Sequence, residues 1–165
     1  MKKSSVGTAS KAFLALTAEE LMTTPVMNIP QETSLREAAR LLSGFHVSGA
    51  PVVDDNGRCI GVLSSSDFVA RAGEEETATT TTRATCFIAP WGELINIDEC
   101  ADNEIRHYMT AEPITVPPTA CIGELAKVMV DAHIHRILVV VEQDRPLGVV
   151  TSTDILAAVA DAAQA

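Results

Sequence analysis

Two short segments hold residues whose types and spacing could do chemistry: Gly61-Val62-Leu63-Ser64-Ser65-Ser66-Asp67 and Gly148-Val149-Val150-Thr151-Ser152-Thr153-Asp154. Each runs from a glycine through two apolar residues to a pair of hydroxyls, then an acid. A carboxylate can accept both hydroxyls of a ribose. The side-chain hydroxyls can donate to phosphate oxygens. A helix starting here would add free N–H groups and a positive dipole end, which suit an anion. Acid for a sugar, hydroxyls and dipole for a phosphate, and apolar strands for a base together describe a nucleotide. A plainer reading stands beside this one. Ser64-x-x-Asp67 and Thr151-x-x-Asp154 both fit a capping box, whose only task is to start a helix.

The context is a chain written twice. An offset of 87 positions relates Asp67 to Asp154, Met22-Thr23 to Met109-Thr110, and Pro30 to Pro117. It also relates Glu37 to Glu124, His46 to His133, and Val52-Val53 to Val139-Val140. We place the repeats at 18–72 and 104–163, with an N-terminal extension at 1–17 and an insert at 73–103.

Each repeat reads β-α-β-β-α behind a short leading helix. Thr17-x-x-Glu20 is a capping box before Leu21, and Asp102 or Asn103 can open the counterpart that runs to Tyr108. Prolines fence the short extended pieces Val26–Ile29 and Ile114–Val116. Ser34-x-x-Glu37 then caps a helix in which Leu35, Ala38, Ala39 and Leu42 recur at helical spacing. Ile122, Leu125, Ala126 and Met129 do so in the second copy. Gly44 is placed to end the first of these helices. The strands at 50–53 and 137–141 are apolar with little alternation and should be buried on both faces. Polar turns at 54–57 and 142–145 lead to returning strands at 59–63 and 147–150. Closing helices then run through 68–70 and 155–157. The hairpins should be antiparallel and the strand–helix–strand crossovers parallel, giving an α/β fold of two small mixed sheets. Each motif then ends a strand at the carboxyl edge of its sheet, where open α/β sheets bind ligands. Half-chains of this size are marginal alone, so the copies should share a buried face as a pseudo-twofold pair.

Composition narrows the function classes. The 165 residues are 47% apolar but only 4% aromatic, so Val, Leu, Ile, Ala and Met must build the core. A net charge of −10 argues against nucleic acid and against acidic membrane surfaces. No apolar run is long enough to span a bilayer, and Ala12–Leu16 is too short for the core of a signal peptide. The cysteines at 59, 86, 100 and 121 form no Cys-x-x-Cys pair. A cytoplasmic chain with reduced thiols is expected, with Cys59 and Cys121 as small core residues.

The doubled motif, together with Val47–Asp54 and His135–Val140, resembles a tandem pair of cystathionine-β-synthase (CBS) domains, a Bateman module. The resemblance covers both repeats and none of the insert. It implies two clefts between the repeats, each able to hold AMP, ADP, ATP or another adenosyl compound, with no resident cofactor. By that resemblance one site would comprise His133, Ile134, His135, Arg136, Thr151, Thr153 and Asp154, with Thr115. The other would comprise His46, Val47, Ser48, Gly49, Ser64, Ser66 and Asp67. The two acids would hold ribose, the hydroxyls would meet phosphate, and the segments 46–49 and 133–136 would line the base and phosphate ends. His135-Arg136 matches the basic pair of nucleotide-sensing members, whereas Ser48-Gly49 does not. The Asp154 site should therefore be the better phosphate site. The resemblance also implies a homodimer and an effector protein.

His133-x-His135 could be two metal ligands, but no Cys or carboxylate spacing completes a set. A phosphate contact or a partly buried histidine is preferred. The recurrence of His46 and His133 suggests packing at helix ends. In the insert, 74–82 reads as a solvated loop, while Phe87–Trp91 and Leu94–Ile97 are apolar enough to dock as a lid or as a partner contact. With no nucleophile–base–orienter set and no Walker loop, the chain is not expected to be an enzyme. The alternative to a nucleotide sensor is an adaptor that keeps the fold without a ligand.

Overall fold

A computed structural model describes residues 13–68, 86–88, 94–96 and 104–164. In chain order it holds helix α1 (Ala18–Leu21), strand β1 (Ile29–Pro30), helix α2 (Leu35–Gly44), and strands β2 (Gly49–Val53) and β3 (Cys59–Ser64). A helical turn, α3, follows at 65–68. Strands β4 (Cys86–Ile88) and β5 (Leu94–Asn96) come next, then a 3-10 turn at Ile105–His107 and strands β6 (Thr110–Ala111) and β7 (Thr115–Val116). Helix α4 (Ile122–Ala132), strands β8 (Arg136–Val141) and β9 (Arg145–Thr151), and helix α5 (Ser152–Ala162) complete the chain.

The chain divides into two units, Met27–Pro113 and Met1–Val26 with Ile114–Ala165. The first, the Asp67 unit, has a sheet of order β1-β2-β3-β6. β1 and β2 are parallel, while β2 with β3 and β3 with β6 are antiparallel. The second, the Asp154 unit, has order β7-β8-β9, with β7 parallel to β8 and β8 antiparallel to β9. Both hairpins carry a register shift at the same repeat position, between Val52 and Val53 and between Val139 and Val140. In each unit the hairpin is met by a segment distant from it in sequence. β6 adds to β3 through Thr110 opposite Val62, and in the Asp154 unit Thr23 bridges Val149.

Apolar spacing accounts for the cores. In α2, Leu35, Ala38, Ala39 and Leu42 are buried against Ile29, Val52 and Leu63. In α4, Leu125 and Met129 are buried against Val116, Ile137, Val139 and Val150, while Ala126 is half-buried. Three successive buried residues in β2 and in β8 fit strands covered on both faces. Each fully buried Leu, Ile or Val contributes about 1.5–3 kcal/mol relative to exposure.

The helix ends differ from the expectation in their mechanism. α2 stops at Gly44, yet the left-handed backbone lies at His46 (φ 54°), and after α4 at His133 (φ 56°). Both histidines are exposed. Their recurrence therefore reflects a backbone conformation that His adopts more readily than most residues, not packing of the ring. The two hairpin turns also differ in chemistry. Asp54 Oδ1 accepts from the N–H groups of Asn56 and Arg58, both at 2.9 Å, and Gly57 has φ 75°. The second turn places Gln143 and Asp144 at positive φ with no glycine.

Cys59 and Cys121 are half-buried rather than core residues. Cys59 Sγ approaches Gly61 O at 3.2 Å, and Cys121 is the N-cap of α4. Within the insert, β4 and β5 pair antiparallel. Trp91, Cys100, Asp102, Asn103 and the acidic and Thr-rich run at 74–82 lie outside the described residues, as do Val69 and Ala70 of the closing helix.

Candidate ligand-binding site

The glycine that opens each motif has a steric cause. An added Cβ on Gly61 would come within 2.8 Å of Met109 Cγ and 2.9 Å of Thr110 O. On Gly148 it would meet Met22 Cγ at 2.6 Å and Met22 Cβ at 2.8 Å. The Met-Thr pairs of the repeat thus lie across the hairpins just before the hydroxyl cluster. The sequence shows both Met-Thr pairs in register but not that they seat on these glycines.

At the end of β9, Asp154 Oδ2 accepts from Thr151 N at 2.7 Å and from Thr151 Oγ1 at 2.6 Å. The Asp154 N–H in turn reaches Thr151 Oγ1 at 3.3 Å. At the end of β3, Asp67 Oδ2 accepts from Ser64 N at 2.6 Å and from Ser64 Oγ at 2.9 Å. Both acids therefore perform the capping role the spacing allows. In each, that role engages a single carboxylate oxygen. Among the described residues Asp154 Oδ1 accepts no hydrogen bond, and Asp67 Oδ1 meets only Thr110 Oγ1 at 3.5 Å.

The segments before β2 and β8 join these caps. Gly49 pairs with Ser64, and Ser65 donates to Ser48 O from its N–H at 3.0 Å and its hydroxyl at 2.9 Å. Arg136 pairs with Thr151, and Ser152 N donates to His135 O at 2.9 Å. The residues 46–49 with 64–67, and 133–136 with 151–154, are thereby gathered at one edge of each unit. Val47 and Ile134 pack against the two cores. The sequence reading omitted Ser65, which ties the cap to the strand entry.

The edge itself needs a correction. It is the carboxyl end of β3 and β9, but β2 and β8 start there, since Gly49 faces Ser64 and Arg136 faces Thr151. The carboxyl ends of the parallel pair β7–β8 lie at the opposite edge of the Asp154 unit. An open groove of about 470 Å³ occurs there, lined by Val116, Pro117, Pro118, Val140, Val141 and Glu142. Thr115 also lines that groove and pairs with Leu138, so it takes no part in the Thr151–Asp154 cap. The hairpin connection reverses the second strand, so a rule for parallel strands points to the edge opposite the motif.

The two edges differ in hydroxyl chemistry. Ser64 Oγ and Ser66 Oγ are 2.7 Å apart. Because the Ser64 proton points to Asp67, Ser66 must be the donor of that pair, and both protons are spent inward. Thr153 has no such partner among the described residues, and the residue is exposed. Arg136 is half-buried, and burial holds its guanidinium below its ordinary value. It keeps its charge nonetheless. At the other edge, residues 46–49 include no Lys or Arg. No group of three or more His, Cys, Asp or Glu that could hold a metal occurs among the described residues, and none of their helices is long and apolar enough to cross a membrane.

The family model for the CBS domain matches residues 18–74 and 105–161. The chain belongs to that family and carries two copies of the domain. It is 26% identical over 150 residues to the protein MJ1426 of Methanocaldococcus jannaschii, covering 85% of this chain and 89% of that one. A second relative from the same organism, MJ1232, is 28% identical over 79% of this chain, which spans 35% of its length. Among solved structures, CBSX2 in complex with AMP superposes with TM-score 0.67 at 22% identity, covering 88% of this chain and 96% of that one. The CBS domain pair of MJ0100, in complex with 5-methylthioadenosine and S-adenosylmethionine, gives 0.65 at 22% identity, covering 89% and 98%.

Proposed function

We propose that this chain is a regulatory module that senses an adenosine-type ligand, with the Asp154 edge as its phosphate-tolerant site. One observation carries the reading: Asp154 gives Oδ2 to the cap while its Oδ1 accepts no hydrogen bond among the described residues, and Arg136 and Thr153 stand at the same edge. A ribose hydroxyl would donate to Oδ1. The phosphate would take the Thr153 hydroxyl proton, the Thr153 N–H at the positive end of α5 and the Arg136 charge. The Asp67 edge lacks the cation and has its serine protons turned inward, which favours a less charged ligand. Two proteins of the same fold bind AMP in one case and methylthioadenosine with S-adenosylmethionine in the other, which supports an adenosyl ligand.

The module would act without catalysis. Ligand binding biases an equilibrium only through its differential affinity for two states. The output would pass to an effector protein or through the oligomeric state of a homodimer. In the cytosol, thiols such as Cys59 and Cys121 would stay reduced.

A second reading, an adaptor without ligand, is favoured by the capping geometry, since both acids already have a structural task. A thermal-shift panel of AMP, ADP, ATP, S-adenosylmethionine and NAD separates the two. A ligand at 100 times its dissociation constant adds about 2.7 kcal/mol of stability. No shift with any of the five would favour the adaptor.

A further inference from the structure

The two capping acids match in their cap bonds and differ at the other oxygen. Asp67 Oδ2 is filled by two donors, Ser64 N–H and Ser64 O–H, and Asp154 Oδ2 is filled the same way from Thr151. A carboxylate offers about four acceptor positions over its two oxygens. A guest must therefore use the two positions on Oδ1. At Asp154 both are open among the described residues. At Asp67 the Thr110 hydroxyl, on the adjoining strand β6, reaches Oδ1 at 3.5 Å. That distance is long for a hydroxyl donor. The hydroxyl is free to rotate and can turn its proton toward one acceptor position. Thr23, the repeat equivalent of Thr110, makes no hydrogen bond to Asp154.

We infer that Thr110 sets the sugar selectivity of the Asp67 edge by occupying one of the two acceptor positions that a ribose cis-diol would need. The inference rests on the reading of that edge as an adenosine-type site. With Thr110 in place, Asp67 can receive one sugar hydroxyl, so a deoxyribose or a singly substituted ribose binds nearly as well as ribose. At Asp154 both hydroxyls can donate to Oδ1, and loss of one is felt. Thr110 acts through Asp67 and is a positioning residue.

The test uses the full chain carrying Asp154→Ala, so that binding reports the Asp67 edge, and titrates adenosine and 2′-deoxyadenosine by calorimetry. The affinity ratio of the two should lie within about threefold. It should widen to roughly tenfold in Thr110→Val, as expected for one hydrogen bond gained by ribose alone. Thr110→Ser, which restores the hydroxyl, should return it to within about threefold. A change in folding alone would weaken both nucleosides together and leave the ratio where it was. A ratio unmoved by Thr110→Val, with adenosine binding still lost in Asp67→Ala, overturns the role of Thr110 and leaves the site intact. Adenosine binding that survives Asp67→Ala overturns the site reading itself.

Discussion

Met22 lies against Gly148 so closely that its Sδ and Cγ occupy the space a β-carbon would need, and Met109 holds the same relation to Gly61. The side chain of one segment thus fixes the residue type at the head of each Gly-to-Asp motif. Gly148→Ala and Gly61→Ala should each destabilise by about 1–3 kcal/mol through overpacking, measured by urea unfolding. Gly44 has nothing within 4 Å of an added Cβ and is helical. Gly44→Ala should therefore be neutral or stabilising by about 0.5–1 kcal/mol.

Thr151 and Asp154 share reciprocal bonds, so their contributions to stability are coupled. Thr151→Ala and Asp154→Ala should each cost about 1 kcal/mol as lost caps. The double variant should cost clearly less than their sum, because the second change removes bonds already broken. Additive losses in a double-mutant cycle would show that the capping box is not formed in solution.

Arg136 should matter to the charged end of a ligand only. Arg136→Ala is expected to weaken ATP by roughly tenfold or more, as for a charge-assisted hydrogen bond, and to leave adenosine within about twofold. The salt dependence of ATP binding should fall with it. Arg136→Lys should restore the charge and only part of the affinity, since a planar fork is replaced by a point charge. Equal losses for ATP and adenosine would mean that Arg136 does not face phosphate.

Acid should loosen the start of α1 only below the usual glutamate range. The Glu20 carboxylate accepts from the Thr17 N–H at 2.8 Å and from the Thr17 hydroxyl at 2.9 Å, and these bonds, the backbone one foremost, hold it below the usual glutamate value of 4.5. A lowered folded value means stabilisation that is present above the unfolded value and lost as pH falls through the folded one. The stability gap between the native chain and Glu20→Gln should be constant at neutral pH and close below about pH 4.5. A gap that widens on acidification would contradict the assignment.

Much of the fold was legible because local and global signals agree in it. Leu35, Ala38, Ala39 and Leu42 were read as one helix face and are buried together. The apolar runs at 50–53 and 137–141 were read as covered strands, and their central residues are buried. Three features escaped. The seat of Met22 on Gly148 depends on a contact across more than a hundred residues, which periodicity does not encode. Thr110 beside Asp67 is another non-local pair, visible beforehand only as half of a repeated Met-Thr. The edge that gathers the motif differs from the one a parallel-strand rule predicts, because a hairpin, not a crossover, leads into it. For the acids themselves, the capping and ligand readings use the same spacing. The capping bonds use Oδ2 in both acids, which leaves the ligand reading compatible with the cap.

The most direct trial of the account is a calorimetric titration of the native chain and of the Asp67→Ala/Asp154→Ala variant with AMP, after circular dichroism has shown the variant to be folded. Saturable binding in the native chain and none in the variant is the predicted result. Equal affinity in both would place the nucleotide elsewhere and reduce the two acids to helix caps.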